Sequence, residues 1–178
     1  MISDTMQQKI YTLERLLPRI TTHQQAGESI VFTNGCFDLL HIGHVRYLQE
    51  AKNLGDRLVV GINSDQSVRN LSKGTGRPII REHHRAEVIA ALGCVDYVIL
   101  FEESDPLTLI KALRPQILVK GGDWEPDRIV GKEFVEERGG SVQSISLTPA
   151  SSTTLIIQKI LAAYGNTPYP SGSSHMPS

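Results

Sequence analysis

Short runs of apolar residues alternate along this chain with longer segments in which apolar residues recur every three or four positions. The first run is Ile30–Phe32, whose residues are β-branched or aromatic, and it predicts a strand. The helical spacing that follows it is carried by Val45, Leu48, Ala51 and Leu54. The same alternation predicts further strands at 57–62, 96–101, 117–120 and 142–146 and further helices at 82–92, 106–113, 128–138 and 153–164. Because strands separated by helices imply right-handed crossovers, we predict an α/β fold with a doubly wound, parallel, five-stranded sheet.

The two ends of the chain fit this pattern less well. In segment 1–27, the apolar residues Ile10, Leu13, Leu16 and Leu17 predict a helical face that ends at Pro18. This N-terminal helical segment could cap the sheet or contact another subunit. Residues 165–178 are rich in Pro, Ser and Gly, a composition typical of a flexible tail. We therefore predict one domain over 28–164, between these two segments.

Composition narrows the class of protein. A chain of 178 residues that is 40% apolar can bury one sizeable core. The net charge of -1 argues against a nucleic-acid binder and against a protein that binds anionic membranes. The sequence has no apolar run near the ~20 residues that span a bilayer and no signal-peptide pattern, so a cytoplasmic location is expected. Cys36 and Cys94 lie far apart, which makes a zinc site or a disulfide framework an improbable interpretation.

The segment from Val31 to His44 is the most informative part of the sequence. It joins the first predicted strand to the first predicted helix through a loop that ends in His41-Ile42-Gly43-His44. A helix start presents backbone N–H groups and a partial positive charge, which favour an anion such as a nucleotide phosphate. Gly35 and Gly43 allow the backbone to approach that anion closely. Two other interpretations stay open, namely histidines that only cap the helix and a metal pair at positions i and i+3.

Two further polar segments follow the second predicted strand. Asp65 comes directly after the second strand and could orient a substrate, help hold Mg²⁺, or cap the next helix. Lys73 lies in a loop rich in Gly and Lys, where its cationic side chain could close over a triphosphate or a sugar phosphate. The alternative for Lys73 is an ordinary solvated side chain.

The segment Lys120-Gly121-Gly122-Asp123-Trp124 follows the fourth predicted strand. The glycines let the backbone pass close to a base or ribose, Asp123 can accept hydrogen bonds, and Lys120 can donate to a phosphate. Trp124 could form a wall of a base pocket or belong to the core.

Ser152, Thr153 and Thr154 open the last predicted helix. Their hydroxyl and N–H groups suit the β- and γ-phosphates of a nucleotide, although N-capping accounts for one of them.

Taken together, these motifs resemble the nucleotidyltransferase superfamily with the HxGH signature. The resemblance is carried by His41–His44, Lys120–Trp124 and Ser152–Thr154, which occur in the family's order within residues 28–162. Within the superfamily the chain is most similar to D-glycero-β-D-manno-heptose 1-phosphate adenylyltransferases, which occur as free domains or fused to a heptose kinase.

The resemblance implies a Rossmann-like nucleotidyltransferase fold, a homodimer, and a role in lipopolysaccharide or surface-glycan synthesis. The implied reaction transfers a nucleoside monophosphate from a nucleoside triphosphate, with ATP favoured, to a sugar 1-phosphate, and Mg²⁺ is the expected companion of the triphosphate. His41 and His44 would stabilise the transition state, and Lys73 and Arg85 would contact phosphate. The expected nucleotide-binding residues are Asn34, Gly35, Cys36, Phe37, Gly43, Asp65, Lys120, Gly122, Asp123, Trp124, Ser152, Thr153 and Thr154.

Other functions share some of these motifs. Glycerol 3-phosphate cytidylyltransferases are similar at HxGH and Gly-Asp-Trp, but their last motif reads Arg-Thr-Glu-Gly-Ile-Ser-Thr, whereas this chain has Leu147–Thr153 without the Arg and Glu. That difference favours a sugar 1-phosphate, while the residue types leave the nucleobase open. A class I aminoacyl-tRNA synthetase also uses HxGH, but this chain is too short and not basic enough for tRNA recognition. A non-catalytic nucleotide sensor is the alternative from a different class.

Overall fold

The computed structural model describes residues 8–71, 76–122, 129–146 and 152–165. The strands are β1 (Ile10–Tyr11), β2 (Ile30–Gly35), β3 (Arg57–Asn63), β4 (Tyr97–Phe101), β5 (Ile117–Gly121) and β6 (Ser141–Ile145). The helices are α1 (Leu13–Gln25), α2 (Ile42–Lys52), α3 (Asp65–Asn70), α4 (Glu82–Ala90), α5 (Leu107–Leu113), α6 (Lys132–Glu136) and α7 (Thr153–Tyr164).

All the strands of the described residues form one parallel sheet in the order β1-β4-β3-β2-β5-β6. The predicted α/β class and doubly wound parallel sheet are confirmed. The sheet has one strand more than predicted because Ile10, which was predicted to belong to the N-terminal helical face, and Tyr11 pair with Val98 and Ile99 at the edge. A two-residue strand carries no period-2 signal in the sequence, so the pattern could not reveal it.

A separate apolar cluster covers each face of the sheet. On one face, Leu48 and Ala51 of α2 and Ala86 and Ile89 of α4 pack on residues of the central strands, such as Val60. On the other face, α1, α5 and α6 pack on those strand residues whose side chains point to that side of the sheet. The members of this second cluster include Leu16, Ile20, Phe32, Val59, Leu109, Ile110, Leu118 and Val135. Neighbouring residues of a strand serve opposite faces because side chains alternate along it, so the central strands are buried on both sides.

Helix α1 continues through Pro18, so the prediction that the helical face ends there is wrong. A proline inside a helix removes one backbone hydrogen bond and costs about 3 kcal/mol. Leu16 and Ile20, on either side of Pro18, are 0% and 1% exposed, and their burial against the sheet offsets that cost. The N-terminal segment is also fixed by the Lys9 ammonium, which donates to the Val95 carbonyl at 2.8 Å.

Two short helices differ from the predicted pattern. Helix α3 begins at Asp65, where a loop was predicted, and α6 covers only 132–136 of the predicted 128–138, with residues 123–128 outside the described part. Segments of five or six residues are too short to show a helical period. By contrast, α7 has the predicted bounds. None of the helices in the described part of the chain is long and apolar enough to cross a membrane.

We expect Leu16→Ala to lower the free energy of unfolding of the whole domain by about 2–5 kcal/mol, because it leaves a cavity under α1. Urea denaturation followed by circular dichroism measures this change. The matched control is Gln25→Ala at the exposed end of the same helix, which should change stability by no more than about 0.5 kcal/mol. Equal small effects of both substitutions would mean that α1 is not part of the cooperative core.

Candidate active site

The site begins where strands β2 and β5 stop pairing. Strand β2 pairs with β5 only as far as Thr33 and Val119, but it pairs with β3 on its other side as far as Gly35. The strand order reverses between β2 and β5, and ligands of open parallel sheets bind beside such a point at the carboxyl ends of the strands. The Tyr47 hydroxyl, from α2, lies 2.5 Å from the Thr33 hydroxyl and donates to the Val119 carbonyl at 3.3 Å. Tyr47 thus holds the two strands together at their last pair.

Two cavities open beyond that last pair. The first, which we call the histidine cavity, has a volume of about 280 Å³ and is lined by residues that include Phe37, His44, Arg77, Lys120 and Thr153. The second, the switch-point cavity, measures about 320 Å³ and is lined by the loops after β4 and before α6. Asn34, Gly35, Cys36 and Lys120 line both cavities. The Lys120 ammonium donates to the Asn34 side-chain oxygen at 3.3 Å, so this pair stands where the cavities meet.

His41 and His44 stand at the start of α2. Their rings are stacked, with centroids 3.9 Å apart and an angle of 22° between the planes. His41 occupies the N-cap position, yet its side chain makes no capping hydrogen bond, so capping does not account for the imidazole. Among the described residues, no group of three or more His, Cys, Asp or Glu side chains could hold a metal ion.

The electrostatics of His41 favour a neutral ring. Burial lowers the pKa of His41 below its ordinary value of 6.5. Its Nδ1 is buried and finds no hydrogen-bond partner in the described part of the chain. A buried polar atom of this kind costs free energy unless something satisfies it, which is expected for a group that serves a ligand.

The turn between β2 and α2 is strained and packs on the histidines. Phe37 adopts a φ of 45°, in the left-handed region, and its ring meets the His44 ring edge-on at 5.3 Å. Gly35 makes room for it, because a Cβ at Gly35 would lie 3.0 Å from the Phe37 ring. A non-glycine residue in this conformation costs about 1–3 kcal/mol and persists only where the surroundings enforce it. The burial of Phe37 fixes the turn that carries the histidines.

Asp38 and Arg77 form part of the site, although the sequence predicted no role for either. The Asp38 side chain is fully buried, and it accepts hydrogen bonds from the backbone N–H groups of Ile79 and Ile80, both at 2.8 Å. It also forms an ion pair with Nε of Arg77, whose side chain is 14% exposed and lines the histidine cavity. The one sequence signal was a carboxylate between the apolar residues Phe37 and Leu39, which suggests a buried, partnered charge.

Arg85 lies beneath this turn. It is 1% exposed, and it donates to the Ile80 carbonyl at 2.9 Å, to the Cys36 carbonyl at 2.5 Å and to the Asp65 carboxylate at 2.7 Å. Its predicted contact with phosphate stays a prediction, and in this structure its partners are protein oxygens.

Asp65 is the first residue of α3. Ser64 precedes it as the N-cap and accepts from the Ser67 N–H at 3.1 Å, so the alternative in which Asp65 caps the helix is wrong. Its carboxylate instead pairs with Arg85, and its backbone N–H donates to the Glu82 carboxylate at 2.6 Å.

The start of α7 contributes one side chain to the histidine cavity. Ser152 caps the helix by accepting from the Leu155 N–H at 3.1 Å, as expected for one of the three hydroxyl residues. Thr153 lines the cavity and donates to the Leu39 carbonyl at 3.4 Å, while Thr154 is exposed.

The segment that begins at Lys120 reaches the same edge of the sheet. Its Gly122, with a φ of 108°, donates its N–H to the Ile145 carbonyl at 2.9 Å.

The structure thus gathers many of the predicted site residues at one edge of the sheet. Asn34, Gly35, Cys36, Phe37, His44, Lys120 and Thr153 line the histidine cavity, and His41 stacks on His44. Gly43 is buried in the first turn of α2. Lys73, Asp123 and Trp124 lie outside the described residues.

Comparison with known proteins identifies the family of the chain. The model of the cytidylyltransferase-like family matches residues 32–159. The bifunctional protein HldE of Geobacter metallireducens is 55% identical over 157 residues, which cover 88% of this chain and 32% of that protein. The bifunctional protein HldE of Trichlorobacter lovleyi is 56% identical over 156 residues, again 88% of this chain and 32% of that protein. The chain therefore spans about a third of the length of the curated relatives it matches.

A solved structure is also similar. The lipopolysaccharide core biosynthesis protein from Thermoplasma volcanium shares 33% sequence identity with a TM-score of 0.56, and the match covers 70% of this chain and all of that one. The family match includes both histidines, the segment from Lys120 to Trp124 and the start of α7. The chain belongs to the cytidylyltransferase-like family of nucleotidyltransferases.

Proposed function

We propose that this protein transfers a nucleoside monophosphate from a nucleoside triphosphate, ATP by preference, to D-glycero-β-D-manno-heptose 1-phosphate. The products are a nucleotide-activated heptose and pyrophosphate, and the reaction would serve lipopolysaccharide or surface-glycan synthesis in the cytoplasm. The observation that carries the proposal is the stacked pair of His41 and His44 at a helix N-terminus, beside the point where the strand order reverses. The similar lipopolysaccharide core biosynthesis protein from Thermoplasma volcanium supports the choice of pathway.

The proposed reaction needs positioned donors and no protein nucleophile. An oxygen of the acceptor phosphate attacks the α-phosphorus of the nucleotide and forms a new P–O bond. The bond from the α-phosphorus to the bridging oxygen breaks, and pyrophosphate leaves with that electron pair. Negative charge accumulates on oxygens in the transition state, so groups that donate hydrogen bonds there accelerate the step. His44, Lys120 and Thr153 line the histidine cavity and are donors of this kind.

Four further parts of the proposal rest on the sequence and on the family that it resembles. Mg²⁺ would arrive with the triphosphate, since this ion is commonly bound through substrate phosphates and water. Lys73 would contact phosphate and Trp124 would line the base pocket. The active form would be a homodimer, which size-exclusion chromatography with light scattering can test.

The test of the reaction is pyrophosphate release by the full chain in the presence of Mg²⁺. Heptose 1-phosphate is offered with ATP, GTP or CTP in separate assays, and glycerol 3-phosphate is the competing acceptor. We expect release with ATP that depends on heptose 1-phosphate. Release with CTP and glycerol 3-phosphate alone would assign the chain to the alternative cytidylyltransferase, and bound triphosphate without release from any pair would favour a nucleotide sensor.

We expect His44→Ala to lower kcat by about 10²- to 10³-fold with little change in the Kd for ATP, because the lost donor acts mainly in the transition state. Single-turnover kinetics and isothermal titration calorimetry separate the two quantities. The matched control is His84→Ala on the exposed surface of α4, which should keep the wild-type rate. A variant that keeps kcat but binds ATP weakly would remove His44 from the transition-state role.

A further prediction concerns the protonation of His41. Because burial disfavours the imidazolium, NMR titration should give His41 a pKa below 6.5. Between that lowered pKa and pH 6.5, the folded protein binds fewer protons than the unfolded chain. The contribution of His41 to the free energy of unfolding is therefore present above pH 6.5 and is lost as the pH falls through the folded-state pKa. A measured pKa at or above 6.5 would contradict this description of the site.

A further inference from the structure

We infer that Arg77 binds a substrate phosphate in the histidine cavity, and that buried Asp38 and Arg85 are the positioning residues that hold it there. This inference rests on the proposed function for the identity of the substrates. Its physical basis is a network of ion pairs under the β2–α2 turn, in which Arg77 is the arginine that lines the histidine cavity.

Arg77 is the residue of this network that can meet a ligand. It lines the histidine cavity together with His44, Lys120 and Thr153, and its side chain is 14% exposed. In the described part of the chain its one ion-pair partner is Asp38, which it meets through Nε. Among the described residues neither terminal nitrogen of Arg77 has a hydrogen-bond partner, so both can donate to a ligand, and the planar edge of a guanidinium suits two oxygens of one phosphate.

Asp38 fixes the direction of this side chain. Its carboxylate has no exposed surface, and its oxygens are oriented by the N–H groups of Ile79 and Ile80 as well as by Arg77. An arginine held at Nε keeps fewer rotamers, so less conformational entropy is lost when a ligand binds. Asp38 balances the charge of Arg77. We therefore expect Arg77 to act on a ligand mainly through oriented hydrogen-bond donors and less through its net charge.

Arg85 holds the same segment from the other side. Ile80 donates its N–H to Asp38 at 2.8 Å, and its carbonyl accepts from Nε of Arg85 at 2.9 Å. Arg85 also donates to the Cys36 carbonyl, so it ties the segment that contains Arg77 to the turn that leads to the histidines. Since Arg85 is 1% exposed and each of its guanidinium nitrogens has a protein partner, we assign it a positioning role in place of a phosphate contact.

The direct test compares Arg77→Ala with Arg81→Ala, an exposed arginine of the same segment that serves as the matched control. Binding of ATP, inorganic pyrophosphate and heptose 1-phosphate to the full-length variants is measured separately by calorimetry. We expect Arg77→Ala to weaken at least one of these by about 10- to 100-fold. Arg77→Lys should recover only part of the loss, and added guanidinium ion should partly restore binding to Arg77→Ala. The Arg81→Ala variant should bind as the wild type does.

The role of Asp38 is tested by a double-mutant cycle. Asp38→Asn should weaken phosphate binding in the wild-type background and have little further effect when Arg77 is already Ala, because the two residues act as a unit. A merely structural role would reduce thermal stability and binding equally in both backgrounds. Circular dichroism of each variant confirms that the fold is retained, and the cycle is restricted to variants that pass this check.

The separate binding measurements distinguish a failure of this inference from a failure of the proposed reaction. A loss confined to ATP and pyrophosphate would place Arg77 on the nucleotide, and a loss confined to heptose 1-phosphate would place it on the acceptor. If Arg77→Ala binds all three probes as Arg81→Ala does, the inference is overturned even when the wild type turns over. If the wild type binds ATP but releases no pyrophosphate with any acceptor, the reaction fails while the loss on Arg77→Ala still supports the phosphate contact. Wild-type protein that binds none of the probes would overturn both.

Discussion

The end of the pairing between β2 and β5 is the constraint on which the site depends. If these strands paired as far as β2 and β3 do, backbone would fill the space of the two cavities. Tyr47 holds the strands at the last pair, and its burial raises the pKa of its hydroxyl, so this group stays a hydrogen-bond donor throughout the physiological range. A single side chain of α2 therefore couples the position of the histidine-bearing helix to the point where the sheet opens.

Buried charge plays a second structural role next to this opening. A buried carboxylate and a buried guanidinium are expensive to desolvate, and they contribute little net stability even when paired. Here Asp38 and Arg85 each bond to the backbone of Ile80, and Arg85 also bonds to the Cys36 carbonyl beside the strained Phe37. Their effect is to join two turns through hydrogen bonds, which apolar side chains cannot make.

The sequence predicted those features that depend on neighbouring residues and missed those that depend on distant ones. Period-3.6 spacing gave the bounds of α7, and the strand–loop–helix pattern placed His41 and His44 at the correct junction. The continuation of α1 through Pro18 depends on tertiary burial, which outweighs a local penalty. The contact of Asp38 with Arg77 spans 39 residues, and no local pattern indicates which distant cation a buried carboxylate will meet.

On the proposed function, the site works by preorganisation. An enzyme that transfers a phosphoryl-type group without a covalent intermediate gains its rate from donors that are already aimed before the substrates arrive. The groups that would aim them are Tyr47, Asp38 and Arg85, which are buried and bonded to protein partners. A substitution among these three would displace the donors without removing one, so its kinetic effect should follow the geometry of the cavity more than its net charge. The proposed function therefore divides the residues at this edge of the sheet into those that contact a substrate and those that position the contacting groups.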